Sequence, residues 1–144
     1  MPLIWILLVA LLFGGYMQSE NEKSSEVLSA ESENETIAGN MQVYKNALVR
    51  YIELNPSANG SIPDSSLTLP SWFTRRPGVA NYVSAGKVYV YYEARPELAS
   101  VILRDTETMG VGINNNGILI HPRSGNTGIQ IPAQIPTTSV VLMQ

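Results

Sequence analysis

A chain of 144 residues that is 44% hydrophobic and 15% charged holds one folded domain and little besides. Its net charge of −3 without a concentrated basic stretch argues against nucleic-acid binding, and the lack of cysteine excludes disulfides, thiolate metal sites and a cysteine nucleophile. Charge is unevenly spread: residues 18–40 carry six glutamates against Lys23, net −5, whereas residues 41–144 carry eight Lys or Arg against six Asp or Glu, net +2.

The chain opens on an uncharged apolar run through residues 1–17, with Leu3, Trp5, Leu8, Leu12 and Phe13 as its candidate membrane-anchor residues. As a helix, Pro2 to Met17 reaches roughly 24 Å, slightly less than a bilayer core of ~30 Å, a mismatch that local thinning absorbs at modest cost. A cleaved signal peptide is the competing reading. No Lys or Arg precedes the run and no small-x-small pattern follows it closely, which favours a retained anchor. The expectation is a single membrane span with a cytoplasmic N-terminus and the folded part outside, which for a bacterial inner membrane is the periplasm. Residues 18–35 are acidic and Ser-rich, too poor in large apolar side chains to offset ordering entropy, and read as a flexible stalk.

Ser32 followed by Glu35 fits a capping box that starts a helix. From there Ile37, Met41, Tyr44, Leu48 and Tyr51 recur at spacings of 4, 3, 4 and 3, an amphipathic pattern that Asn55-Pro56 ends. A loop rich in turn formers follows to Pro70, and then Leu69-Pro70-Ser71-Trp72-Phe73 places two large aromatics beside a proline. Such aromatics either pin a long loop to the core or anchor a partner. With Arg75 and Arg76 they form the one adjacent aromatic and arginine set, the composition typical of interface hot spots. Reversing both arginine charges is expected to leave the fold intact and weaken assembly.

Strand signals begin near Asn81: Tyr82-Val83, a turn at Ser84-Ala85-Gly86, then Lys87 to Tyr92 predict a hairpin. Pro96 marks a helix start, with Leu98, Val101 and Ile102 as its apolar stripe. Met109 to Ile113, a turn over Asn114 to Gly117, and Ile118 to His121 predict a second hairpin, and Val140-Val141-Leu142 a last strand. The order of elements predicts an α+β domain over residues 36–144, with the long helix on one face of an antiparallel sheet.

No chemical motif is complete. Gly110-Val111-Gly112 lacks the third glycine of a dinucleotide fingerprint and reads as a turn; Arg123 to Gly128 lacks the lysine of a phosphate-binding loop. His121 is the single histidine, so paired-histidine metal sites are excluded, and a base beside Ser124 or Ser139, oriented by Asp105, is weighed against a capped turn residue and set aside. No cofactor and no enzymatic activity are expected. The apolar run, Met41-Gln42-Val43-Tyr44, Leu69 to Phe73, Tyr82 to Tyr92 and Gly110 to Gly117 together resemble the small PilM family encoded with the thin, type IVB pili of conjugative plasmids, distinct from the actin-like protein of that name. The resemblance implies a non-catalytic inner-membrane component of a pilus assembly apparatus or basal body, whose partners are other assembly proteins or pilin. A pilin-like filament subunit is the alternative, and a small periplasmic hydrolase a third.

Overall fold

The computed structural model describes residues 2–144, and the side chains of residues 3–11 and 29–144. Two compact units divide the chain, Met1–Glu33 and Asn34–Gln144. In the first, the backbone is helical from Pro2 onward, part of helix α1, Pro2–Leu54. From Leu3 to Leu11 its apolar side chains are exposed all round, between 50% for Val9 and 74% for Leu3. Among the described residues no helix is long and apolar enough to cross a membrane. The side chains of Leu12 and Phe13, and those of the acidic segment as far as Leu28, lie outside the described residues. The helix start expected at Ser32-Glu35 is absent: both residues lie within α1, because glutamate, alanine, leucine and lysine are good helix formers even where nothing packs on them.

In the second unit the apolar stripe of α1 is buried as its period requires, with Ile37, Met41, Tyr44 and Leu48 joined by Ala38, Ala47 and Ile52. Tyr51 sits half-buried at the margin of that stripe. The helix ends where Asn55 donates both its backbone N–H and its Nδ2 to the Tyr51 carbonyl, ahead of Pro56.

Six strands follow: β1 Ala80–Ser84, β2 Lys87–Tyr92, β3 Val111–Asn115, β4 Ile118–His121, β5 Gly125–Gln130 and β6 Val140–Met143, with α2 Leu98–Thr106 between β2 and β3. They form one antiparallel sheet in the order β1-β2-β6-β3-β4-β5. The last strand therefore lies in the middle, pairing Tyr91 with Val141 on one side and Gly112 with Val141 on the other, and all four of its residues are buried. Both hairpins close in two residues, Ala85-Gly86 and Asn116-Gly117, and every one of these has positive φ, the geometry that matches the right-handed twist of the strands. The turn of the second hairpin is thus shorter than its asparagine run suggests, and Asn114 is a strand residue. So is Gly112, as the hairpin reading of Met109 to Ile113 expects and the turn reading of Gly110-Val111-Gly112 does not. A Cβ there would run into the Ile120 carbonyl across β3–β4, so its role is close strand approach.

Alternate strand residues divide the sheet into two faces. Val83, Val88, Val90, Val111, Val140 and Leu142 pack with α1 and α2 in the main core. On the reverse face Tyr89, Leu119, Val141 and Met143 form a smaller cluster, closed by Ile131 and Ile135 from the loop before β6. Buried Asn114 holds that loop: its Nδ2 donates to the carbonyls of Ile135 and Pro136, and its Oδ1 accepts the Gly117 N–H.

Candidate functional site

The segment from Pro70 to Val79 connects the turn-rich loop to β1, and what fixes it is a set of polar side chains from elsewhere. Asn40, on α1, takes it by the backbone at two points: Nδ2 donates to the Thr74 carbonyl at 2.9 Å, and Oδ1 accepts the Arg76 N–H at 3.0 Å. Phe73, half-buried, stacks on Tyr44 with ring centroids 6.4 Å apart and planes 13° from parallel. Arg75 folds inward, its Nε 2.8 Å from Asp64 Oδ2, a guanidinium nitrogen on the Val79 carbonyl, and its central carbon 5.8 Å from the centre of the Tyr44 ring.

Tyr44 is the hub. Its hydroxyl donates to Asp64 Oδ1 at 2.8 Å and accepts from Asn81 Nδ2. Asn81 also donates to the Ile62 carbonyl and accepts the Ile62 N–H at 2.8 Å, so one buried amide ties β1, the loop and α1 together. Beside it Gly60 bridges Val83 as a short extension of the sheet beyond β1, covering that edge. Burial pushes the Tyr44 phenol up to about 12, assisted by the bond to the Asp64 carboxylate, which only the neutral phenol can donate. Hydrogen bonding to Asp64 likewise raises Arg75 above its ordinary value.

Of the four residues the sequence groups as a contact, the structure keeps three together and turns them different ways. Phe73 serves the core, and Arg75, though exposed, braces the loop against Asp64. Trp72 alone points out, 73% exposed, meeting Phe73 edge-on at 6.3 Å and 79°. Arg76 is gripped at its backbone by Asn40. The expectation that reversing both arginine charges spares the fold is therefore corrected for Arg75: a carboxylate there would face Asp64 and strip a brace from the loop. Asp64 opens a 3₁₀ turn, Asp64–Ser66, and also joins Tyr44 to Arg75.

His121 is a buried turn cap. Its Nδ1 accepts the backbone N–H groups of Arg123 at 3.2 Å and Ser124 at 3.1 Å, which leaves the proton on Nε2, 3.4 Å from the Thr108 carbonyl. Asp105 binds its neighbour Arg104, and no hydrogen bond links His121 to Asp105 or to either serine hydroxyl. Among the described residues no cluster of His, Asp or Glu could hold a metal ion.

A model of the PilM family matches residues 8–143 of the chain. Among solved structures it is similar to a PilM protein from Escherichia coli B7A, with 24% identity over 79% of this chain and 93% of that one and a TM-score of 0.62, a likeness of fold. It is also similar to a PilM protein from Pseudomonas aeruginosa 2192, 34% identical over 76% of this chain and 94% of that one, with a TM-score of 0.48. No curated protein matches it.

Proposed function

Because the chain belongs to the PilM family, whose members relate to pilus assembly, we propose that it is a non-catalytic inner-membrane component of a type IV (thin) pilus assembly apparatus, working by protein–protein contact. In this reading residues 1–17 anchor the chain in lipid, the remainder faces the periplasm, and another assembly protein or pilin docks on Trp72.

The observation that carries the contact is the combination of an exposed indole with a loop that cannot yield. Exposing a tryptophan to water costs surface energy that an idle loop would avoid by folding the ring inward. Here the ring is held out by Phe73 stacked on Tyr44, by the two-point grip of Asn40 and by the Arg75–Asp64 brace. A preorganised aromatic loses little conformational freedom when a partner covers it, which is what makes such residues hot spots. The anchor is supported by the ring of exposed apolar side chains from Leu3 to Leu11, a helix surface without a polar face.

Trp72→Ala tests the contact. The variant should melt with the parent protein, because nothing in the core rests on the indole, yet weaken partner capture by about 2 kcal/mol, roughly 30-fold, and fail to restore pili to a deletion strain. Wild-type piliation by a stably folded Trp72→Ala protein would remove Trp72 from the reading.

A further inference from the structure

The helical cover of the sheet runs out before its far edge. α2 packs on β3 and β6, which leaves Ile113 of β3 42% exposed and its cross-strand partner Ile120 half-buried, with Met109, just past the helix, 56% exposed. Two adjoining cavities lie here, of about 680 and 530 Å³, sharing Ser100, His121, Pro122 and Arg123. Together they form a groove between α2 and the turn after β4, lined by none of the residues of the Trp72 loop.

The groove is built in advance. His121 fastens one wall to the other: its Nδ1 gathers the N–H groups of Arg123 and Ser124, while Nε2 meets the carbonyl of Thr108 in the link from α2 to β3. Its charge is ordered as well. Glu97 and Glu107 sit at the two ends of α2, in left-handed conformations that cap it, so the acidic groups mark the ends of the groove. Arg95 reaches to Asn34, and Arg104 to Glu35 and Asp105, so both are engaged within the domain. Arg123 is different. It is exposed, it borders both cavities, and among the described residues its guanidinium has no hydrogen bond or ion pair.

An unpaired guanidinium at the border of an apolar floor selects a ligand with matching parts, a carboxylate that can meet it two-pronged and apolar side chains that lie along the floor. We propose that this groove binds an extended segment of a partner protein, seating a carboxylate at Arg123 and apolar side chains on Met109, Ile113 and Ile120. A small anion would leave the floor uncovered, and a purely apolar segment would bury Arg123 without a partner, at a cost the exposed state avoids.

The test uses the full-length chain in detergent micelles with a fluorescent ten-residue peptide that alternates Asp or Glu with Leu or Ile, and two controls: Lys in place of the acids, and Ser in place of the apolar residues. Binding of the acidic–apolar peptide alone is expected, with chemical-shift changes centred on Met109, Ile113 and Ile120 methyl groups. Arg123→Glu should raise Kd at least tenfold and Arg123→Lys much less, and Ile113→Ser should weaken binding without shifting the melting temperature. Equal binding of the lysine peptide, shifts confined to other residues, or no binding by any of the three would overturn the proposal. Methyl shifts that grow with protein concentration in the absence of peptide would overturn it too, since they would assign the groove to a second copy of the chain.

Discussion

Among the described residues Tyr44 is the largest fully buried side chain, and its hydroxyl joins α1 to Asp64 of the loop and to Asn81 of β1. A phenol so placed makes stability depend on alkaline pH. The unfolded tyrosine ionises near 10 and the folded one near 12, so between those values the unfolded chain releases a proton that the folded chain keeps. The stabilisation is full below pH 10 and is lost as pH rises through 12, on the order of 2 kcal/mol over that window. Tyr44→Phe removes this group. At neutral pH it should lose about 1–2 kcal/mol, because Asn81 and Asp64 are left short of a partner. Between pH 9 and 11.5 its urea-unfolding free energy should then fall less steeply than that of the parent; parallel curves would show that the phenol does not titrate as argued. The apolar role of Tyr44 is legible from its place in the 4, 3, 4, 3 spacing. The polar role is not, because Asp64 and Asn81 lie 20 and 37 residues away and nothing local in the sequence pairs them with it. Arg75 escapes sequence reading for a similar reason: an arginine beside aromatics suits a partner contact as well as a brace for its own loop, and only Asp64, 11 residues before it, shows the second role.

At the scale of elements, the parts with strong local chemistry are those the sequence announces. Both hairpins carry period-2 apolar residues around Ala-Gly or Asn-Gly, and α2 carries its stripe at helical spacing, so their types follow from residues in contact along the chain. β5 does not: Gly125-Asn126-Thr127-Gly128 has no apolar alternation, and its strand state is imposed from outside, by pairing with β4 and by Thr127 Oγ1 donating to the Leu119 carbonyl. Its two glycines have positive φ, its register slips between Ile118 and Ile120, and its Asn126 side chain takes up the Gly128 N–H, features that blunt an edge against pairing with other chains. The central place of β6 is equally hidden, since a four-residue C-terminal run says nothing of which neighbours it joins. The two strands should therefore sit at opposite ends of the stability range. In native-state hydrogen exchange, β6 amides should exchange only through global unfolding, while β5 amides should open at free energies at least 2 kcal/mol lower. Equal protection in the two strands would contradict the view that β5 is held only from one side.

At the scale of the whole molecule, the boundary between Glu33 and Asn34 separates two kinds of stability. From Asn34 onward the chain has a continuous core and its own polar ties: buried Asn34 donates to the Pro96 carbonyl and accepts from Arg95, and Glu35 meets Arg104 at 2.9 Å. From Leu3 to Leu11 the side chains are apolar and exposed, a surface that the lipid of the proposed anchor would cover. The two requirements are separable by cutting the helix. A chain beginning at Ser29 keeps a helical turn ahead of Asn34, so the amide groups around the Asn34 ties are not left at a raw terminus. It should unfold cooperatively, with a melting temperature within about 4 °C of the full-length protein, the shift that roughly 1 kcal/mol produces in a domain near this size. It should also appear in the periplasmic soluble fraction when exported behind a cleavable leader, whereas the full-length chain stays with the inner membrane. An unfolded product would place part of the core's support before Ser29. A folded product that remains membrane-bound would move the anchor out of the apolar run and into the domain, and the exposed tryptophan would become the first place to look for it.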